Sequence, residues 1–96
     1  MNKFEMVKTY FRNCSYRKDI TRKEYIAFMS STYGLGAVTC DNCRCILMTA
    51  GYLGRPGRGI YRKIRYIPYC LTYMQARREA YPISDSFILG YGRLLK

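Results

Sequence analysis

Residues 39–66 read TCDNCRCILMTAGYLGRPGRGIYRKIRY, a helical segment, a glycine-rich turn and a basic segment in that order. At about 100° per residue, Cys43, Ile46, Leu47 and Ala50 cluster on one face with Cys40 at its edge, leaving Asp41, Asn42, Arg44, Cys45 and Met48 outward. Thr39 is the expected N-cap, Val38 and Cys43 have the spacing of a hydrophobic staple, and Ala50-Gly51 supplies the stop, which predicts a helix over 39–51. Tyr52 and Leu53 then open a strand, GRPGRG at 54–59 makes the turn, and Ile60 to Ile67 alternates as the second strand of a hairpin over 52–67. Ile60, Arg62, Ile64 and Tyr66 fall on one side and Tyr61, Lys63, Arg65 and Ile67 on the other, so both sides mix apolar and basic residues. This hairpin carries Arg55, Arg58, Arg62, Lys63 and Arg65 and no carboxylate.

Upstream, residues 21–33 begin with an unusually complete helix-start signal. Thr21 is placed as N-cap, Glu24 three residues on closes a capping box, and Ile20 has the spacing to staple onto Tyr25. Tyr25, Ile26, Phe28, Met29, Thr32 and Tyr33 make the expected buried side, and Gly34 suits the left-handed residue that ends a helix. The connection Gly34 to Val38 reverses the chain while Leu35 and Val38 stay in the core. A first helix over 2–13 buries Phe4, Met6, Val7, Tyr10 and Phe11 and turns Glu5, Lys8, Thr9 and Arg12 outward; NCSYRKD at 13–19 then reads as a loop. Downstream, Pro68 ends the hairpin and 69–81 reads as a helix through Cys70, Tyr73, Met74, Arg77 and Tyr81, stopped by Pro82. The tail 82–96 holds Phe87, Ile88, Leu89, Leu94 and Leu95, which the domain or a second copy of the chain is expected to cover.

The run AGYLGRPGRGIY, following two helices, resembles the helix-to-wing junction of winged helix-turn-helix domains, over roughly residues 20–67. The resemblance implies a mainly α fold with a small antiparallel β-hairpin (α+β), a three-helix core plus wing and C-terminal helix, within one domain over 1–96. It implies double-stranded DNA as the partner and transcription regulation as the role. It raises the prospect of a homodimer through the C-terminal segment. In that frame Asp41, Asn42, Arg44, Cys45 and Met48 enter the major groove, with Arg44 forked onto guanine, Asn42 onto adenine and Asp41 accepting from cytosine. Arg55, Arg58, Arg62 and Lys63 on the wing, with Arg22 and Lys23 at the start of the second helix, meet the DNA backbone or minor groove.

Composition agrees in direction. Seventeen Lys or Arg against six Asp or Glu give a net charge of +11, which favours a polyanion. No apolar run approaches the roughly 18–20 residues of a membrane span, and MNKFEMVKTYF interrupts its apolar residues with charge where a signal peptide would not, so an intracellular protein is expected. Five cysteines cannot all pair within one chain, and reduced thiols are the simpler expectation. Cys40, Cys43, Cys45 and the distant Cys70 could supply thiolates to a metal, but on a helix Cys45 lies about 160° from Cys43, so no metal or cofactor is expected. Histidine, the commonest general base, is absent and the carboxylates at 5, 19, 24, 41, 79 and 85 are scattered with no paired spacing, which gives acid–base and two-metal chemistry little support; no catalysis is expected. Two alternatives remain: a protein-binding module or inhibitor directed at a nucleic-acid-binding or acidic partner, and a binder of structured RNA.

Overall fold

A computed structural model describes residues 1–81, and the apolar tail at 82–96 lies outside the described residues. The order is α1 (Lys3–Arg12), β1 (Ile20–Thr21), α2 (Arg22–Tyr33), α3 (Ala37–Thr49), β2 (Leu53–Gly57), β3 (Ile60–Lys63) and α4 (Tyr73–Ala80). It is a mixed α+β arrangement of four helices and a small antiparallel sheet in the order β1-β3-β2.

The helix starts follow their caps. Asn2 accepts from the Glu5 amide at 2.8 Å to open α1. The Thr21–Glu24 capping box forms in both directions, at 3.1 and 2.8 Å, and satisfies two amides that have no partner within α2. Gly34 ends α2 at φ +69, and Leu35 N–H reaches back to the Met29 carbonyl at 3.3 Å, a Schellman-type closure that drops Leu35 into the core.

The start of α3 differs from expectation. Its N-cap is Gly36, without a side-chain cap, and the helix begins at Ala37 and ends at Thr49, so Thr39 lies inside the first turn. With the helix begun two residues early, Val38 turns outward and is 74% exposed, and no Val38–Cys43 staple forms. On α2, Tyr25 and Met29 are buried, whereas Phe28 and Thr32 are exposed. The fourth helix begins at Tyr73, four residues later than the periodicity predicts, because Thr72 and Gln75 form a second capping box there. Its inward face is Ala76 and Ala80; Tyr73 and Met74 look out, because small side chains let the helix approach α3 closely.

Ile20, expected only to staple α2, is buried as a strand residue: Ile20 pairs with Tyr61 and Thr21 with Ile60. The hairpin register moves by one residue between Gly54↔Arg62 and Gly57↔Ile60, so Arg55-Pro56 forms a bulge where the missing proline N–H costs no ladder bond. Gly59 at φ +71 completes the reversal. Strand β3 stops at Lys63, short of Ile67, because the Ile64 and Arg65 amides both turn onto the Tyr52 carbonyl, at 3.0 and 3.3 Å. The core joins Val7 and Phe11 of α1, Tyr25 and Met29 of α2, Cys40 and Leu47 of α3, and Ile67 of the connector. The Tyr25 hydroxyl inside it donates to the Cys40 carbonyl at 2.7 Å.

Two lysines belong to this interior. Lys8, expected on the outer face of α1, is buried; its Nζ donates to Glu5 and to the carbonyls of Tyr69 and Leu71 at 2.6 and 2.9 Å. Lys63 is buried too and donates to the Arg12 carbonyl at 2.8 Å, while Arg12 Nε donates to the Ile67 carbonyl at 2.9 Å. These cations tie the connector between β3 and α4 onto α1. No helix among the described residues is long and apolar enough to cross a membrane.

Candidate nucleic-acid interface

The five outward positions of α3 separate into two groups. Asp41, Arg44 and Met48 face α2 and the sheet. Arg44 lies with its guanidinium carbon 4.5 Å from the Tyr61 ring centroid, Nη2 at 3.3 Å from Asp41 and Nη1 at 3.9 Å from the Met48 sulfur. Its side chain is 12% exposed, and its Nε is buried without a hydrogen-bond partner. Arg44 is thus packed as a slab over the sheet and is not extended toward solvent. Asn42 is exposed at the rim of an apolar groove of about 800 Å³ between α1, α3 and the start of α4, with Phe4, Met6, Leu35, Ile46 and Tyr73 in its walls. The surface of α3 that meets solvent is Val38, Asn42, Cys45 and Thr49, with Asp41 at its edge. That surface carries no cation.

Asp41 is the hinge of the polar arrangement. Arg22, from the first turn of α2, grips it with a fork: Nε to Oδ1 at 3.1 Å and Nη2 to Oδ2 at 2.7 Å. The hydrogen bond from Arg22 holds the Asp41 carboxyl below the usual carboxylate range, partly opposed by burial and assisted by Arg44. The backbone amide of Arg22 meanwhile donates to the Gly59 carbonyl at 2.8 Å, so the start of α2, the second turn of α3 and the turn of the β2–β3 hairpin converge here.

The cations of the hairpin also separate. Arg62 pairs with Asp19, and Arg65 lies over the Tyr52 ring at 4.0 Å and beside Glu79 at 3.4 Å. Lys63 is buried and stands over the Tyr16 ring, so it is withdrawn from any ligand. Arg55 and Arg58 are exposed at the bulge and the turn, and Lys23 is exposed one residue beyond the amide that holds the turn; none of the three side chains has a hydrogen-bond or ion-pair partner among the described residues. The structure thus places Lys23, Arg55 and Arg58 at one end of the sheet, while Arg22, Arg44, Arg62 and Lys63 are committed within the protein.

Two further exposed cations escaped the sequence reading. Arg17 and Lys18 precede β1, with the Arg17 amide on the Lys63 carbonyl at 3.0 Å and Arg17 itself at φ +59. Their signal is an Arg-Lys doublet on each side of Ile20-Thr21, at 17–18 and 22–23; it has meaning only once Ile20-Thr21 is known to be a strand. Cys40 and Cys43 face the core, where burial pushes both thiols up, while Cys45 and Cys70 are exposed. Comparison with protein-family models, curated proteins and solved structures gives no match to this chain.

Proposed function

We propose that the chain is a winged helix-turn-helix protein that binds double-stranded DNA in a sequence-specific manner, regulates transcription and carries out no catalysis. The observation that carries this reading is the helix–strand–helix–helix–strand–strand order combined with Lys23, Arg55 and Arg58 near the hairpin turn, which have no hydrogen-bond or ion-pair partner among the described residues. Phosphate contacts by these three side chains supply affinity; Arg17 and Lys18 extend the cationic surface along the outer strand of the sheet. Base readout passes to the exposed surface of α3, where Asn42 suits the paired donor and acceptor of adenine and Val38 suits a thymine methyl. Arg44, stacked on Tyr61, supports that surface from the sheet side.

The test is selection of a random duplex pool by the purified protein at two salt concentrations, followed by sequencing. An enriched motif is expected, and a palindrome would add a second copy of the chain to the complex. Salt-sensitive binding without a motif would remove sequence specificity from the proposal. The apolar groove beside Asn42 favours a second reading, a protein-binding module, which absence of duplex binding would move to first place.

A further inference from the structure

Resting on the duplex-binding reading, we infer that Asp41 is an internal stand-in for a backbone phosphate, occupying Arg22 and thereby setting how strongly the protein holds DNA of arbitrary sequence. A carboxylate and a phosphate present the same pair of acceptor oxygens to a guanidinium fork, and Arg22 engages Asp41 through both Nε and Nη2. The placement is not that of an ordinary surface pair within one helix. The pair bridges α2 and α3, 19 residues apart, and the same Arg22 holds the hairpin turn through its amide on the Gly59 carbonyl, so Asp41 fixes the side chain of the residue that fastens that turn. Asp41 is also the only carboxylate of α3, and it touches Arg44 as well.

The consequence is a limit on affinity for duplex of any sequence. A duplex that meets only the wing gains the contacts of Lys23, Arg55 and Arg58, while Arg22 remains on Asp41. Removing the Asp41 charge releases Arg22, nearly half exposed, to a phosphate of any sequence. Arbitrary and preferred sequences then gain alike, and the ratio between them stays the same. Asp41 acts here as a positioning residue for Arg22.

The experiment measures the salt dependence of binding to a generic 20-base-pair duplex by fluorescence anisotropy, for wild type, Asp41→Asn, Asp41→Glu, Arg22→Gln and the Asp41→Asn/Arg22→Gln double variant. One added phosphate contact steepens the log–log salt slope by about 0.9, which near 0.1 M salt corresponds to about fivefold to tenfold tighter binding. Asp41→Asn is expected to show that gain, Asp41→Glu to restore wild-type behaviour, and the double variant to lose the gain. Arg22→Gln is expected to leave the wild-type slope unchanged, because Arg22 is already neutralised; it also keeps the idea testable should Asp41→Asn fold poorly. An unchanged slope in folded Asp41→Asn, or a slope reduced by about 0.9 in Arg22→Gln, would overturn the inference. Failure of the wild type to bind duplex at low salt would instead overturn the reading on which it rests.

Discussion

Replacement of Arg44 separates a base-reading arginine from one that supports the fold. In Arg44→Ala, loss of the largely desolvated stack on Tyr61 costs about 0.5–2 kcal/mol. Loss of the partly exposed contact to Asp41 costs about 0.2–1 kcal/mol. About two buried methylenes add about 1.6 kcal/mol. Against these stands the removal of the buried, unpartnered Nε, which returns about 1–3 kcal/mol of desolvation. Taken at their midpoints these terms leave a destabilisation of about 1.5 kcal/mol, read as a lower urea midpoint by far-UV circular dichroism. Arg44→Met retains the apolar stem and also removes the orphan nitrogen, so it is expected within about 1 kcal/mol of wild type. Both variants should keep the base preference found by selection. If Arg44→Ala keeps wild-type stability and loses discrimination at one base pair by about 1–3 kcal/mol, Arg44 swings off Tyr61 to read that base, and its assignment to the packed layer is wrong.

Arg55→Ala and Arg58→Ala should each flatten the salt slope of duplex binding by about 0.9 for all sequences alike; a loss confined to one sequence in anisotropy titrations would place that side chain on a base edge. Lys8→Met should destabilise the protein by about 3–5 kcal/mol, because it leaves Glu5 and two connector carbonyls without their cation. A urea-unfolding change under about 1 kcal/mol would show that this cluster contributes little to the fold. Alkaline pH should also destabilise the chain. Burial raises the Tyr25 hydroxyl and lifts Tyr10 to about 12 from 10.0, so the folded state retains protons that the unfolded state releases. That contribution is whole below about pH 10 and declines as pH rises through the folded values, by up to about 1.4 kcal/mol per pH unit for each such tyrosine. Urea midpoints at pH 9, 10 and 11 that do not fall would contradict it.

Local signals were legible where they are self-contained. The Thr21–Glu24 box and Gly34 were readable because every group they need lies within a few residues, and both form as expected. The early start of α3 was not, because Gly36 leaves no side-chain signature and Thr39 is a better cap by composition than the one used. Strand β1 is two residues long and exists only through its pairing with β3, 40 residues away, so no local periodicity reveals it. The fourth helix lies at 73–80 and not 69–81 because alanines form its buried face, whereas the helical spacing that predicts it rests on tyrosine and methionine. For the candidate interface, helical periodicity correctly turned Asn42 and Cys45 outward. It could not tell that Arg44, also off the apolar face, would lie flat on Tyr61, since that depends on where the sheet packs against α3.

The same dependence governs the charge. A net charge of +11 describes the sum of the side chains, whereas recognition draws only on those that reach solvent without a partner. Here Lys8, Arg12 and Lys63 serve as hydrogen-bond donors that hold backbone carbonyls of neighbouring segments, work done in larger cores by apolar packing. Arg22, Arg44, Arg62 and Arg65 are held by the protein's own carboxylates and rings. A chain this small can therefore spend part of its basic charge on structure, and its cationic footprint is smaller than the net charge suggests. For the proposed DNA contact, the salt slope should report the exposed cations that reach the duplex and not the seventeen basic residues of the sequence.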